Sequence, residues 1–425
     1  MVVATLATFQ LVAGGIAALP FIIHRLRVGK WAGQSTLVLP DVEPQDLPQM
    51  TLVIPAWNEE LLIEDKLSAL AQQEYPRHKL EAIFIDSAST DNTVDLVKTW
   101  LVENPTAFAD FTIIEMEQRL GKTAAIAQAF GSAALSSEIL VMTDVDARLD
   151  PGSLLRLGAW FSNPEIGAVG ATPQRFTTNS GGTGAGAGTD VSRVTSGGHG
   201  LTEKIYRDMF TIQRLGESAR DSTPFLEGSL LGIRRTVYSD STLDTNSNAD
   251  DAQLAVAARL AGLRAIQDPA LIFREPIPPT YGEHKEQKVR RAQGLQRLLW
   301  RNRSHWFSRN QGAWGGIMGV QGIMHLLIPW IVLAGCVFAV LKWCLLLTGL
   351  ELNIFIITTL VIDGWVFGSW LLHRFALRLP LTSLPATFLD SMNALLIAQF
   401  KLLSGDSMHL WEQGVGVRKA WLEEK

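Results

Sequence analysis

Asp144 and Asp146 stand two residues apart in TDVD, immediately after the apolar run Ile139 to Met142. In extended backbone, side chains two apart point the same way, so both carboxylates can meet at one point at a strand end. Like charges that close repel unless a cation sits between them. Mg2+ or Mn2+ fits that need, taking one or two carboxylates and completing its shell with water and phosphate oxygens. The same four residues also suit a solvated turn that holds no metal. Asp150 reads differently: it precedes Pro151 in DPGSLL, a helix start, and is expected to cap that helix.

Three other places carry residues capable of chemistry. Asp250 and Asp251 lie side by side ahead of an Ala/Leu-rich helical stretch that stops at Gly262. One carboxylate there can cap the helix and favour its dipole; the other is left over, and a general base for a hydroxyl is a role that suits it. Lys122 in GKTAA resembles the end of a phosphate-binding loop, but Met116 stands where G-x-x-x-x-G-K-[ST] requires its first glycine, so a P-loop is excluded. Lys122 remains either a phosphate partner or a solvated lysine. Arg290 and Arg291 lie in the first half of a basic and aromatic stretch from Lys285 to Phe307; they can neutralise a diphosphate, whereas its second half reads as a membrane-surface helix.

These residues need elements to position them. TLVIP (51–55), EAIFI (81–85), FTII (111–114) and ILVMT (139–143) are short β-rich runs, and helical patterns follow the first three. Such alternation predicts an α/β fold, a mostly parallel sheet with helices on both faces. Ligands of these sheets gather beyond the carboxyl ends of the strands. Asn58 and Glu59 follow the first run, Asp86 the second, and Asp144 and Asp146 the fourth. Ser89 to Asp91 can cap the helix after Asp86. The Gly/Ser/Thr-rich segment Thr177 to Gly200 is too poor in apolar residues to pack and is expected to be a mobile loop.

A hydrophobic content of 47% with 13 Trp is too high for an ordinary soluble enzyme, and the excess is concentrated. Val2 to Ile23 carries no formal charge and is long enough to cross ~30 Å of hydrocarbon. Arg25, Arg27 and Lys30 follow it, which predicts an uncleaved anchor with that end in the cytoplasm. Ile317 to Leu347 and Ile354 to Leu372 read as a transmembrane hairpin, again followed by basic residues, His373, Arg374 and Arg378. Leu381 to Leu403 contains Asp390, Asn393, Gln399 and Lys401 and reads as an interfacial helix in preference to a fourth span. Asp363 is central in the hairpin's second arm, where a carboxylate costs ~2.5–3.5 kcal/mol. It should face other helices or a polar cavity near His325, as part of a substrate path or as a structural hydrogen bond. Both cysteines, Cys336 and Cys344, fall in the hairpin, which argues against a disulfide framework. A net charge of −5 gives no sign of a nucleic-acid partner, and three or four spans leave little room for a transporter.

Taken in order, these motifs resemble the membrane-bound family 2 glycosyltransferases, whose catalytic domain has the Rossmann-like GT-A fold of nucleotide-diphospho-sugar transferases. IPAWNEE is similar to the family's P-x-x-N-E, DSASTD to DDGSTD, GKTAAIAQA to G-K-x-x-A and TDVD to the metal-binding D-x-D. FLEGSLLGIRR resembles the acceptor segment, ADDAQLAVAARLAGLR the E-D-x-x-L-x-x-R-L-x-x-G, and QKVRRAQG the Q-x-x-R-W. The resemblance covers roughly residues 50 to 300 and implies a nucleotide-sugar donor bound by Pro55, Glu59, Asp86, Lys122 and Asp144, with Asp86 at the nucleobase. It implies Mg2+ or Mn2+ on Asp144 and Asp146, Asp251 as catalytic base, and Gly228, Ser229, Asp250, Gln287, Arg290 and Arg291 at the acceptor and diphosphate. The implied reaction is an inverting displacement onto a lipid or glycan hydroxyl at the cytoplasmic face of the cell membrane. Ser87 replaces the second Asp of DDGS, and Ala249-Asp250 replaces the usual Thr-Glu. Arg291 stands where polysaccharide synthases carry Trp, which favours addition of one or a few sugars over a processive synthase. A catalytically silent membrane scaffold of the same fold is the remaining alternative. The expected domains are an anchor (1–30), a catalytic domain (45–285), a basic interface segment (286–312), a hairpin (315–374), and a membrane-interface or fourth transmembrane helix with a cytoplasmic tail (380–425).

Overall fold

The computed structural model of the chain describes residues 2–133, 137–176, 198–276, 281–347, 353–375, 377, 379, 381–408, 410 and 418. The chain divides into two compact units. One comprises Met1–Lys30, Ser192–Gln213 and Lys285–Asp406, and the other Trp31–Val191, Arg214–His284 and Ser407–Lys425. The loop expected over Thr177 to Gly200 lies, for 177–197, outside the described residues.

After the first helix, α1 (Val2–Gly33), the second unit is built on strand and helix in alternation. β1 (Met50–Ala56), α2 (Ile63–Ala71), β2 (Leu80–Asp86), α3 (Thr93–Glu103), β3 (Asp110–Glu115), α4 (Lys122–Ser132) and β4 (Ile139–Thr143) come in that order, each strand on a run identified from its apolar residues. Successive strand residues face opposite sides of the sheet, and both sides are covered. Leu52, Ile54, Phe84 and Val141 pack in one layer with Ile63, Leu67 and Leu70 of α2 and Trp100 of α3. Val53, Ile83, Ile85, Leu140 and Met142 pack in the other with Ile126 and Phe130 of α4. That is why these runs are continuously apolar and do not alternate.

The remaining elements are β5 (Arg148–Leu149), α5 (Ser153–Trp160), β6 (Ile166–Phe176), α6 (Gly198–Arg220), β7 (Leu230–Arg234), α7 (Asp250–Leu260), β8 (Arg264–Pro276) and α8 (Tyr281–Arg301). The eight strands form one sheet in the order β3-β2-β1-β4-β7-β6-β8-β5. β3, β2, β1 and β4 are parallel, with Ala56 opposite Asp86 and Asp86 opposite Glu115, so their carboxyl ends share one edge. β7 then enters antiparallel to β4 with Leu230 opposite Thr143, which sets the segment before β7 beside the segment after β4. β6 is antiparallel to β7 and parallel to β8, and β5 is antiparallel to β8.

Two capping expectations need correction. Gly152, not Asp150, precedes α5, and Asp150 pairs with Arg274 at 3.2 Å, because β5 runs alongside β8 with Arg148 opposite Arg274. α7 is entered through Ala249 in the left-handed conformation (φ 63°), so Asp250 and Asp251 are its first two residues and neither is the cap. Asp251 still accepts the Ala252 N–H at 2.7 Å, which satisfies one N-terminal donor. The far end is as expected: Gly262 has φ +85° and Leu263 N–H returns to the Ala258 carbonyl.

The first unit is helical. Among the described residues three helices are long and apolar enough to cross a membrane: Val2–Gly33, Arg309–Leu346 and Ile354–Arg374. The second consists of α9 (Gly312–Gly322), a π-helical turn over Ile323–Leu327, and α10 (Ile328–Leu346). The third is α11 (Ile354–Arg374), and the segment with Asp390 and Lys401 follows as α12 (Ser383–Leu403). Ala17 of α1, Ile328 of α10 and Met392 of α12 share one apolar cluster, with Phe21 edge-on to Phe388. Asp363 does face other helices, and its partners are Lys342, Gln10 and Trp343 in place of the expected His325. Lys342 Nζ lies 2.7 Å from its carboxylate, Trp343 Nε1 donates at 2.7 Å and the Gln10 amide also donates. Lys342 in turn donates to Gln10 Oε1 at 2.8 Å, closing a polar triangle among α1, α10 and α11.

Candidate active site

The functional side chains of the second unit collect at the carboxyl edge of β1, β2 and β4. Two loops meet there first. Asn58, with φ 55°, donates its N–H to Ser89 Oγ at 2.8 Å and accepts the Thr90 N–H on its side chain at 2.7 Å. The Glu59 N–H goes to Thr93 Oγ1 at 2.8 Å, so the segments after β1 and β2 are locked together. Asp86 is buried at the end of β2; its Oδ2 accepts the Ser89 N–H at 2.8 Å, and its Oδ1 is buried with no hydrogen bond from the described residues. Pro55 lies within β1 opposite Ile85, beneath this junction.

The aspartates after β4 are held more elaborately. The Asp144 N–H donates to the Ser229 carbonyl at 3.3 Å, and Ser229 Oγ lies 3.3 Å from Asp144 Oδ2 and 3.2 Å from Glu275 Oε2. Lys122, at the start of α4, sits 2.5 Å from Asp144 Oδ1 and 3.9 Å from Asp250 Oδ2. Burial alone would lower the lysine's pKa, but Asp144 and Asp250 together hold it above the ordinary lysine range. Burial and the adjacent Asp144 push the Asp146 carboxyl up, against the pull of Arg418 and Lys122. Burial, then Asp250 and Glu227, raise Asp251 to about 7. A Cβ added at Gly228 would lie 3.0 Å from Met142 Cε and 3.5 Å from Asp251 Oδ2, so a side chain there would crowd Met142, and the glycine lets the segment before β7 pack closely against Asp251.

Of the residues singled out from sequence, Pro55, Glu59, Asp86, Lys122, Asp144, Asp146, Gly228, Ser229, Asp250 and Asp251 all lie in this unit. Lys122, Asp144, Ser229 and Asp250 make direct contacts with one another. Gln287, Arg290 and Arg291 lie on the part of α8 that belongs to the other unit, Arg291 exposed and the other two half-buried. Three contributors were missed. Arg418 makes a buried two-point pair with Glu59, its Nε donating at 2.8 Å to Oε2 and its Nη2 to Oε1; burial nevertheless pushes Glu59 up to about 7. Glu275 reaches Ser229 from β8. Lys66 is buried under the β4 turn, donating to Thr143 Oγ1 at 2.8 Å and to the Ala147 carbonyl at 2.6 Å, and burial lowers it to about 7 against Asp144 and Asp146. Lys66 did leave a signal, since it interrupts the apolar stripe Ile63, Leu67, Leu70 of an amphipathic helix. Arg418 left none: nothing in the local pattern of a charged tail marks one arginine for burial.

The model of the glycosyl transferase family 2 matches residues 51–240, the stretch that carries β1 to β7 and most of this cluster. Over residues 51–240 the chain is similar to family 2 glycosyltransferase domains. Around that stretch the likeness extends further. A poly-beta-1,6-N-acetyl-D-glucosamine synthase of Staphylococcus aureus is 24% identical over 266 residues, 62% of this chain and 58% of that protein. A probable glycosyltransferase, YdaM, of Bacillus subtilis is 24% identical over 261 residues, 60% of this chain and 57% of that protein. The chain therefore spans less than two thirds of the length of these relatives. Among solved structures, the mannosyltransferase PcManGT from Pyrobaculum calidifontis, in complex with GDP-Man and Mn2+, matches with a TM-score of 0.73 at 23% identity, covering 95% of this chain and all of that one. That match shows the GT-A fold.

Proposed function

We propose that the chain transfers a sugar from a nucleoside-diphosphate donor to a hydroxyl of a lipid or glycan acceptor at the cytoplasmic face of the membrane, with inversion at the anomeric carbon. The observation that carries this reading is the Lys122 bridge, which joins the β4 carboxylate Asp144 to the buried Asp250, next to the half-buried Asp251. Asp251, with its carboxyl near pH 7, takes the proton from the acceptor hydroxyl as that oxygen bonds to the anomeric carbon and the bond to the diphosphate breaks. Lys122 stays protonated and offers its charge to the departing diphosphate. Asp86, with an unused buried acceptor oxygen, suits a nucleobase N–H, and Pro55 and Glu59 border that end of the site. Gly228 lets the segment before β7 lie close against Asp251, at the end of the site assigned to the acceptor, and Ser229 steadies Asp144. Gln287, Arg290 and Arg291 are assigned to the acceptor and diphosphate on the motif alone.

The donor set of Asp144 and Asp146 fits a divalent ion: two carboxylates, one of them pushed up by burial and then by its neighbour's charge, match what Mg2+ or Mn2+ commonly takes from a protein. No group of three or more such ligands converges among the described residues, so water and phosphate would complete the shell. When bound, the ion supplies charge neutralisation at the diphosphate. The Mn2+ in PcManGT supports this assignment.

The test offers a panel of nucleotide sugars, GDP-mannose among them, with Mg2+ or Mn2+ to the purified wild type and to Asp251→Asn. Transfer by the variant should fall about 10²–10⁴-fold, the range for loss of a general base. Equal transfer by both rejects the base, and no transfer by the wild type from any donor favours the silent scaffold. A processive synthase is the second reading, favoured by the polysaccharide-making relative, and a ladder of long products would select it.

A further inference from the structure

We propose that Lys66 is a positioning residue for the divalent ion, an ammonium that fixes the turn carrying Asp144 and Asp146 from beneath. The inference rests on reading those two aspartates as the ion's ligands.

Lys66 is 4% exposed on a face of α2 otherwise made of Ile63, Leu67 and Leu70. An ammonium is costly to bury, so a lysine persists there only where its donors are well used. Both of its recorded acceptors belong to one turn. Thr143 is the last residue of β4 and Ala147 follows Asp146, so one nitrogen, at 2.8 Å and 2.6 Å, brackets the three residues that contain both aspartates. The bracket continues outward. Thr143 Oγ1 passes its own proton to the Ser229 carbonyl at 3.0 Å, the carbonyl that also accepts the Asp144 N–H. Ala147 N–H closes the turn on the Asp144 carbonyl at 3.2 Å. Without the ammonium, the Ala147 carbonyl and the Thr143 hydroxyl lose their common partner on α2. Hydrogen-bond partners behind metal ligands typically matter about 10–100-fold in metal affinity.

Charge and position predict opposite signs here. On charge alone, removing a cation from beneath two carboxylates would tighten the binding of a second cation. The positional role predicts weaker binding, so the sign of the change discriminates.

The experiment measures Mn2+ affinity by electron paramagnetic resonance on the full chain in detergent, together with thermal unfolding, for wild type, Lys66→Met, Lys66→Arg, Thr143→Val and Asp144→Asn. Lys66→Met keeps the length of the side chain and removes its donors; its Mn2+ affinity should drop about 10–100-fold. Lys66→Arg should recover part of that loss, and Thr143→Val, which removes one acceptor, should weaken Mn2+ by a smaller factor. Unchanged or tighter Mn2+ binding by a folded Lys66→Met overturns the inference; should that variant not fold, unchanged binding by Thr143→Val overturns it instead. If wild type and Asp144→Asn bind Mn2+ alike, the metal assignment itself fails and this inference with it. Weaker binding by Asp144→Asn with unaltered binding by the Lys66 and Thr143 variants removes only the role of Lys66.

Discussion

As the proposed base, Asp251 would serve the reaction at some cost to stability. Its carboxyl is raised to about 7 from an ordinary 3.8, first by burial and then by Asp250 and Glu227. The folded chain therefore holds a proton that the unfolded chain releases between about pH 4 and 7. Stability from this group is present below pH 4 and is lost as pH rises through 7. Asp251→Asn cannot ionise, so its unfolding midpoint should exceed that of the wild type at pH 8 and converge with it near pH 4. Activity should run the other way, with kcat/KM of the wild type falling as pH drops below about 7, since the base must be unprotonated to accept the acceptor's proton. Parallel melting curves at both pH values would place the charge of Asp251 in solvent. The positions of Asp144 and Asp146 after a strand and of Asp251 at the start of a helix were legible from the local pattern. Lys66, Glu275 and Arg418 were not, because each reaches the edge from an element whose approach only the assembled sheet defines.

At the scale of elements, legibility followed burial. β1, β2 and β4 sit between two covered layers, so their cores are apolar runs, and β3, at the sheet's edge, is apolar only in part; the order of helices and strands could still be read directly. β6 and β8 could not: β6 carries Thr172, Pro173 and Gln174, β8 is interrupted by Asp268 and Pro269, and their pairing has register shifts. The mixed edge of the sheet follows from those strands. Two ion pairs show the same contrast in energy. Asp150 and Arg274 are both more than half exposed, so breaking that pair should cost less than about 1 kcal/mol. Lys342 and Asp363 are 0% and 1% exposed within the helical unit, where leaving one partner alone costs about 3–5 kcal/mol. Asp363→Asn or Lys342→Met should therefore lower the yield of folded protein in detergent, and the double variant Lys342→Met/Asp363→Leu should recover it. If both single variants fold and transfer sugar normally, neither a structural clamp nor a substrate path is built on this pair. Lys342 had gone unremarked because one lysine in a long apolar helix does not alter its overall character; only the carboxylate opposite gives it a meaning.

The whole molecule sets its orientation through its charges. α1 ends in Arg25, Arg27 and Lys30, and α11 ends in His373 and Arg374, whereas 348–353, between α10 and α11, holds one Glu and no Lys or Arg. Basic residues stay on the cytoplasmic side of a membrane, and the two ends agree. A chain that leaves α1 inward, crosses outward through α10 and returns through α11 puts residues 31–308 and the tail on one side. On the proposed reading, that side contains every residue of the chemistry and is the one that faces the cytoplasm. Arg290 and Arg291 add basic charge on that side at the start of the interface stretch, where anionic headgroups contribute about 1 kcal/mol for each basic residue near the surface. The orientation can be read with a membrane-impermeant maleimide. In a background with Cys336→Ser and Cys344→Ser, a single cysteine at Ser35→Cys should be protected in intact cells and labelled in inverted vesicles. Labelling from outside intact cells would reverse the topology and leave the site facing away from its donor, so the proposed reaction could not proceed in the membrane even if every side chain at the sheet edge were in place.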